Sequence, residues 1–363
     1  MRHTELFYVL ALRMAEGIGD VTAKKLISRF GSAREAFRAT ARELRSAGLS
    51  TSQISAFRNA PFQRAEREID FLSKHNIDAV SIADENYPFR LRHIPDSPLV
   101  VFTKGKVDLY GRKVISIVGT RNITPSGAAF CSELICDLVP LDPVIVSGLA
   151  YGADIVAHQA AVDCGLQTIA VVAHGLDQIY PRRHASFVKT MLESGGGLLT
   201  EFTSGTEPVR ENFVRRNRIV AGLSEATIVI ESAEKGGSLI TANLANDYNR
   251  EVFAVPGRPT DVLAAGCNNL IKTQKAHLIT SAADLIYNLG WETRPKAVQK
   301  QLFIELDQPE QKIYDYLFQN GREVIDVIAI DCGLPVYELS PTLLNMELKG
   351  AVRALPGKIY EAV

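Results

Sequence analysis

The chain is short of several things, and each shortage closes a class of function. It holds five cysteines in 363 residues, at positions 131, 136, 164, 267 and 332, with no Cys-x-x-Cys pair among them. That spacing argues against a zinc ribbon and against a disulfide-stapled secreted scaffold, so the thiols are expected reduced and no metal is expected. Excess charge is lacking as well: 40 basic against 41 acidic residues leave a net charge of −1. Any affinity for a polyanion must therefore come from a local patch, not from a global field. No apolar run reaches the length of a membrane span, and the first segment is broken by Arg2, His3, Glu5 and Arg13. A cytoplasmic protein without membrane contact is expected. Nucleotide and catalytic signatures are also missing. There is no Gly-x-Gly-x-x-Gly after the first strand, no P-loop, no Gly-x-Ser-x-Gly elbow and no His-Glu-x-x-His, so no cofactor is expected. Asp154 and His158 stand one helical turn apart but lack a third partner in register for a metal.

What is present divides the chain into regions. Residues 1–75 carry helical periodicity, with Leu6, Val9, Leu10 and then Leu26, Ile27, Phe30 and Phe37. Between them, residues 16–25 form a glycine hairpin resembling the helix-hairpin-helix element, whose helix-start amides can hold a DNA phosphate. A simple packing turn is the competing and favoured reading. Residues 76–292 alternate apolar β-branched runs (114–118, 144–146, 168–172, 198–199, 227–230, 252–255, 277–280) with helical stretches. Alternation of this kind predicts a doubly wound, mostly parallel α/β sheet. A charged, proline-containing linker is expected at 293–305. Residues 306–363 predict three helices and a hairpin, the outline of a winged helix, yet the stretch 339–348 contains Glu347 and no Lys or Arg. That composition suits a packing or partner module better than a reader of the DNA groove.

In a doubly wound sheet, ligands lie beyond the carboxyl ends of the strands. The loops expected there are Gly119-Thr120-Arg121, Ser147 to Asp154, His174 to His184, Glu231 to Thr241 and Val255 to Arg258. Four of them run into a helix start, where free amides and the helix dipole favour anions. Arg121, Arg182, Arg183 and Arg258 add charge. The run Arg215-Arg216-Asn217-Arg218 adds three guanidiniums, whose rigid fork suits phosphate. As a bland alternative, that cluster is a solvated helix start paired with Glu207 and Glu211, and its arginines can also lock the loops through Glu201, Glu231 or Asp177. A rim collected from separate loops points to a nucleic-acid groove.

These residues also carry a resemblance. Gly119-Thr120-Arg121, the run from Ser147 to Asp154, Gly175-Leu176-Asp177 with Tyr180-Pro181, the run from Arg216 to Ser224, Gly237 to Ala242 and Val255-Pro256-Gly257 together resemble the DNA-processing protein A family (DprA, also called Smf) across about residues 85–290. The resemblance implies an extended Rossmann-like sheet flanked by an N-terminal helical (helix-hairpin-helix or SAM-like) domain and a C-terminal winged helix. It implies a homodimer without catalytic activity that binds single-stranded DNA and loads the RecA recombinase during natural transformation. By position it implies DNA contacts from Arg121, Ser147, Gly148, Arg182, Arg183, Arg216, Asn217, Arg218, Gly236, Gly237 and Ser238. His174 departs from the small residue usual there and is expected to reshape the crevice near 174–178. A second reading is a nucleotide-processing enzyme similar to the lysine-decarboxylase-like phosphoribohydrolases. The Gly236-Gly237-Ser238 loop lacks the closing Glu that such an enzyme uses.

Overall fold

The computed structural model describes residues 4–291 and 306–363, so the linker expected at 293–305 lies outside the described residues. Six helices come first: α1 (Glu5–Met14), α2 (Asp20–Phe30), α3 (Ala33–Arg38), α4 (Ala41–Ser46), α5 (Thr51–Arg58) and α6 (Phe62–Lys74). Reciprocal capping boxes, Thr40 with Glu43 and Ser50 with Gln53, start α4 and α5. The buried faces of these helices do not close on themselves. Leu10, Leu26, Leu44 and Phe57 belong to one core together with Leu99, Phe102, Val172 and Leu198 of the sheet region.

The strands are β1 (Asp78–Ser81), β2 (Val100–Gly105), β3 (Val114–Val118), β4 (Val144–Ser147), β5 (Thr168–Val171), β6 (Gly197–Thr200), β7 (Ala226–Val229), β8 (Glu251–Ala254) and β9 (His277–Leu278). They form one sheet in the order β1-β2-β6-β5-β4-β3-β7-β8-β9. Pairing is parallel from β6 to β9, and β1 and β2 join antiparallel at one edge. The inner strands β3, β4, β5 and β7 are buried at every position, which is why they read as apolar runs interrupted only by a single Ser or Thr each. Their connections are α7 (Phe89–Arg92), α8 (Pro125–Asp137), α9 (Ala153–Asp163), α10 (Ala185–Glu193), α11 (Arg210–Leu223), α12 (Gly237–Asp247), α13 (Ala265–Lys272) and α14 (Ala282–Asn288). From β3 the chain builds outward to β6, then returns to place β7, β8 and β9 on the other side. The switch point thus falls between β3 and β7.

One expectation is overturned here. Cys136 and Cys164 are joined in a disulfide, while Cys131, Cys267 and Cys332 are free and buried. Packing of α8 against α9 brings the ends of both helices together, with Cα atoms 5.7 Å apart across a sequence separation of 28. That is bridging distance, and no spacing rule in the sequence reveals it.

The C-terminal region is a winged helix: α15 (Gln308–Asn320), β10 (Glu323–Val324), α16 (Ile325–Cys332), α17 (Val336–Leu348), β11 (Val352–Leu355) and β12 (Ile359–Ala362). It has its own core of Ile313, Leu317, Ile328, Leu339, Leu343 and Met346. Helix α17 carries Glu338 and Glu347 and no basic residue. Among the described residues, no single helix is long and apolar enough to cross a membrane.

Candidate nucleic-acid interface

At the switch point, beyond the carboxyl ends of β3, β4 and β7, lies an open cavity of about 580 Å³. Arg121, Gly148, Tyr180, Phe213, Asn217 and the Lys235-Gly236-Gly237 loop form its walls. Arg121 leaves β3 exposed to solvent and lays its guanidinium over the Phe213 ring, 5.9 Å from the centroid. Phe213 in turn meets Tyr180 at 5.7 Å between ring centroids. Arg210 and Lys235 line the same cavity. The sequence reading placed neither among the contacts, although positions 210, 213 and 217 share one face of a helix at 3.6 residues per turn.

Helix starts were expected to supply several anion-binding loops, and two of them are already filled from within. The Glu231 carboxylate occupies the start of α8, accepting from the Thr124 amide at 2.9 Å and the Thr124 hydroxyl at 2.5 Å. Asp154, in the first turn of α9, turns back to accept from the Ala150 amide at 3.2 Å. Burial raises the Asp154 carboxyl above the ordinary carboxylate range, while the Arg216 guanidinium and nearby amides pull it down. The start of α12 stays free. The Gly237 and Ser238 amides make no hydrogen bond among the described residues, and a side chain added at Gly237 would meet open space.

The arginines of the 215–218 run separate by helical phase. Arg216 is buried under the cavity floor and donates from Nη1 to the Gly148 carbonyl at 2.6 Å and to the Val171 carbonyl. The guanidinium lies so close over residue 148 that any Cβ there would overlap it, which is the physical demand for glycine. Arg218, expected in the groove, faces away from it. It donates to Glu201 at 2.7 Å and to the Asp96 carbonyl at 2.6 Å, and it pairs with Asp20 at 3.6 Å. Arg215 also pairs with Glu201, at 3.1 Å. The partner of the cluster is therefore Glu201, not Glu207 or Glu211.

Other expected residues fall on both sides of the line. Asn217, Gly236, Gly237 and Ser238 line the cavity, and Ser238 donates to Ser232 at 2.9 Å. Ser147, expected among the DNA contacts, is fully buried and donates to the Ile117 carbonyl at 2.6 Å, so it supports the loop from beneath. Arg182 and Arg183 project into solvent from the turn after Tyr180 and stand outside the cavity wall. His174 does not fill the crevice. It lies buried under its loop, where Nε2 accepts from the Tyr180 amide at 3.2 Å and Nδ1 meets the Gly175 carbonyl at 2.8 Å.

The hairpin at 16–25 is a packing element. Asp20 accepts from the Leu99 amide at 3.3 Å, and the Lys24 ammonium donates to the Ser97 hydroxyl at 2.9 Å. Both bonds dock the helical layer onto the sheet.

Fold and cavity together define a class of protein, a Rossmann-like sheet with an open, arginine- and lysine-lined cavity at its switch point. Comparison with known proteins makes this specific. Residues 78–290 match the family described as DNA recombination-mediator protein A, and residues 299–358 match the DprA winged helix domain. The chain belongs to the DNA recombination-mediator protein A family. It is 36% identical to protein Smf of Escherichia coli (strain K12) over 320 residues, covering 86% of this chain and 85% of that protein. It is 39% identical to DNA processing protein DprA of Streptococcus pneumoniae over 240 residues, covering 65% of this chain and 84% of the relative. The solved structure of DprA from Streptococcus pneumoniae superimposes with a TM-score of 0.67 at 32% identity, covering 79% of this chain and 98% of that one. DNA processing protein A from Helicobacter pylori, solved to describe its single-stranded DNA binding mode, gives 0.54 at 29% identity over 60% of this chain and 97% of its own.

Proposed function

We propose that this chain binds single-stranded DNA in the switch-point cavity, acts without catalysis, and as a homodimer presents the strand to the RecA recombinase during transformation and recombination. The observation that carries this reading is the convergence of Arg121, Arg210 and Lys235 on a free helix start, Gly236-Gly237-Ser238. Three cations and two open amides suit backbone phosphates, which need charge and reach more than an exact shape. The Tyr180 and Phe213 rings offer a stacking surface, and a base is free to use it only when it is not paired in a duplex. The Helicobacter pylori relative's DNA binding mode supports the same ligand class. The RecA step and the dimer rest on family membership. A nucleotide-processing reading is less well supported, because the Gly236-Gly237-Ser238 loop lacks the closing Glu that such an enzyme uses.

Titration with single- and double-stranded oligonucleotides at two salt concentrations tests the proposal. The single strand is expected to bind better, with an affinity that falls with salt at a slope of about −0.7 per neutralised phosphate. Arg121→Ala combined with Arg210→Ala and Lys235→Ala is expected to lower affinity about tenfold or more and to flatten that slope. Unchanged affinity would remove the cavity as the binding site. Turnover of a nucleoside monophosphate would favour the enzyme reading.

A further inference from the structure

The groove leaves two features of the sequence unused, the hairpin at 16–25 and the first arginine of the 215–218 run, and these two meet. Where the helical layer abuts the sheet there is a smaller recess of about 290 Å³, walled in part by Arg13, Gly19, Arg64, Phe202, Thr206 and Arg215. Arg215 is two residues past Phe213 on α11, about 200° round the helix, so recess and groove lie on opposite flanks of one helix with its exposed face between them. We propose that this recess is a second phosphate subsite, which takes a backbone phosphate of a single strand leaving the groove across α11. The inference rests on the single-strand reading of the groove.

Three guanidiniums converge there from three elements: Arg13 of α1, Arg64 of α6 and Arg215 of α11. Arg13 is committed to the fold, with 13% of its side chain exposed and ion pairs to Asp20 at 3.7 Å and Glu201 at 3.6 Å. Arg215 keeps 52% of its side chain exposed and uses one nitrogen on Glu201, while its plane rests over the Phe202 ring at 5.4 Å. That stacking holds the remaining donors at the mouth. The Arg64 side chain is exposed and makes no hydrogen bond or ion pair among the described residues. The nearby acids are engaged already. Glu201 is fully buried beneath three arginines, and Asp20 holds Arg13, Arg218 and the Leu99 amide. A junction serving only to fasten two layers has no use for Arg64. A site for an incoming anion does, and Thr206 adds a hydroxyl.

Fluorescence anisotropy on the full chain compares a strand of about six nucleotides with one of about twenty, which brackets the lengths that single-strand binders occupy. Arg64→Ala is the variant, because no contact of the fold depends on that side chain. Affinity for the longer strand is expected to fall about threefold to tenfold, with a salt slope shallower by about 0.7, while the shorter strand binds as before. No change on the longer strand, or equal losses on both, overturns the second subsite. If Arg121→Ala weakens both lengths while Arg64→Ala is silent, the recess is lost and the groove stands. If the unmodified chain binds no strand at all, the groove reading falls and the recess with it.

Discussion

Arg216 and Arg121 show how differently the same side chain is used a few ångströms apart. Arg216 is wholly enclosed, and burial lowers its pKa while the Asp154 charge raises it. Its removal leaves two carbonyls without their donor and the buried Asp154 carboxyl without the charge that faces it. Arg216→Met is therefore expected to cost about 3–5 kcal/mol of stability, the range for breaking a buried pair, read as a lowered midpoint in denaturant. Arg121→Ala exposes nothing and should leave that midpoint in place. A buried histidine beside Arg216 makes a pH prediction. Burial holds His158 down to about 3, against an ordinary 6.5, so it is neutral in the folded chain. The unfolded chain takes up that proton first. Stability present above about pH 6.5 is consequently lost as the pH falls, by about 1.4 kcal/mol per unit until the folded value is reached. Asp154 acts in the opposite sense. Its folded pKa is raised, so its contribution is present at low pH and is lost as pH rises through that value. Melting curves from about pH 7 to about pH 5 should show a falling Tm, and His158→Gln should make that fall shallower. An equally steep fall in the variant would exclude His158 as a source.

At the scale of the element, α12 and α11 carry most of the site. Gly237 opens α12 with space beside it, so Gly237→Asp should fit and even favour the helix start, since a carboxylate suits the first turn. Single-strand affinity is expected to drop about tenfold or more, because the new charge stands where a phosphate would go, while Tm holds. A large fall in Tm would mean that the loop is not free in the way described. Helix α11 also shows how far the sequence could be read. Its charge was plain, and so was its place after a strand. The partition of its arginines was not, because Glu201 was one of several candidate partners and only the folded chain buries it against Arg215 and Arg218. Buried inner strands such as β3 and β7 were legible because both faces are apolar. The antiparallel edge strands were harder, since β1 is only four residues and β2 ends in Thr103, Lys104 and Gly105. The filled helix starts were not legible at all: Glu231 reaches the Thr124 hydroxyl across 107 positions of sequence.

For the whole molecule, the arrangement of cores matters more than the list of regions. The winged helix closes its own core, whereas the six N-terminal helices share theirs with the sheet. Glu201 ties the same two layers together by receiving Arg13, Arg215 and Arg218 on a single oxygen. Calorimetry should therefore resolve two transitions, one for residues 4–291 and one for 306–363, and a third separating the helical layer would contradict the shared core. The continuity has a consequence for how distant damage is felt. Leu10→Ala in α1 removes a fully buried side chain and should cost about 2–5 kcal/mol. Because α1 and the groove belong to one cooperative unit, that loss should appear at the groove as fewer competent molecules, with Kd unchanged in those that remain folded.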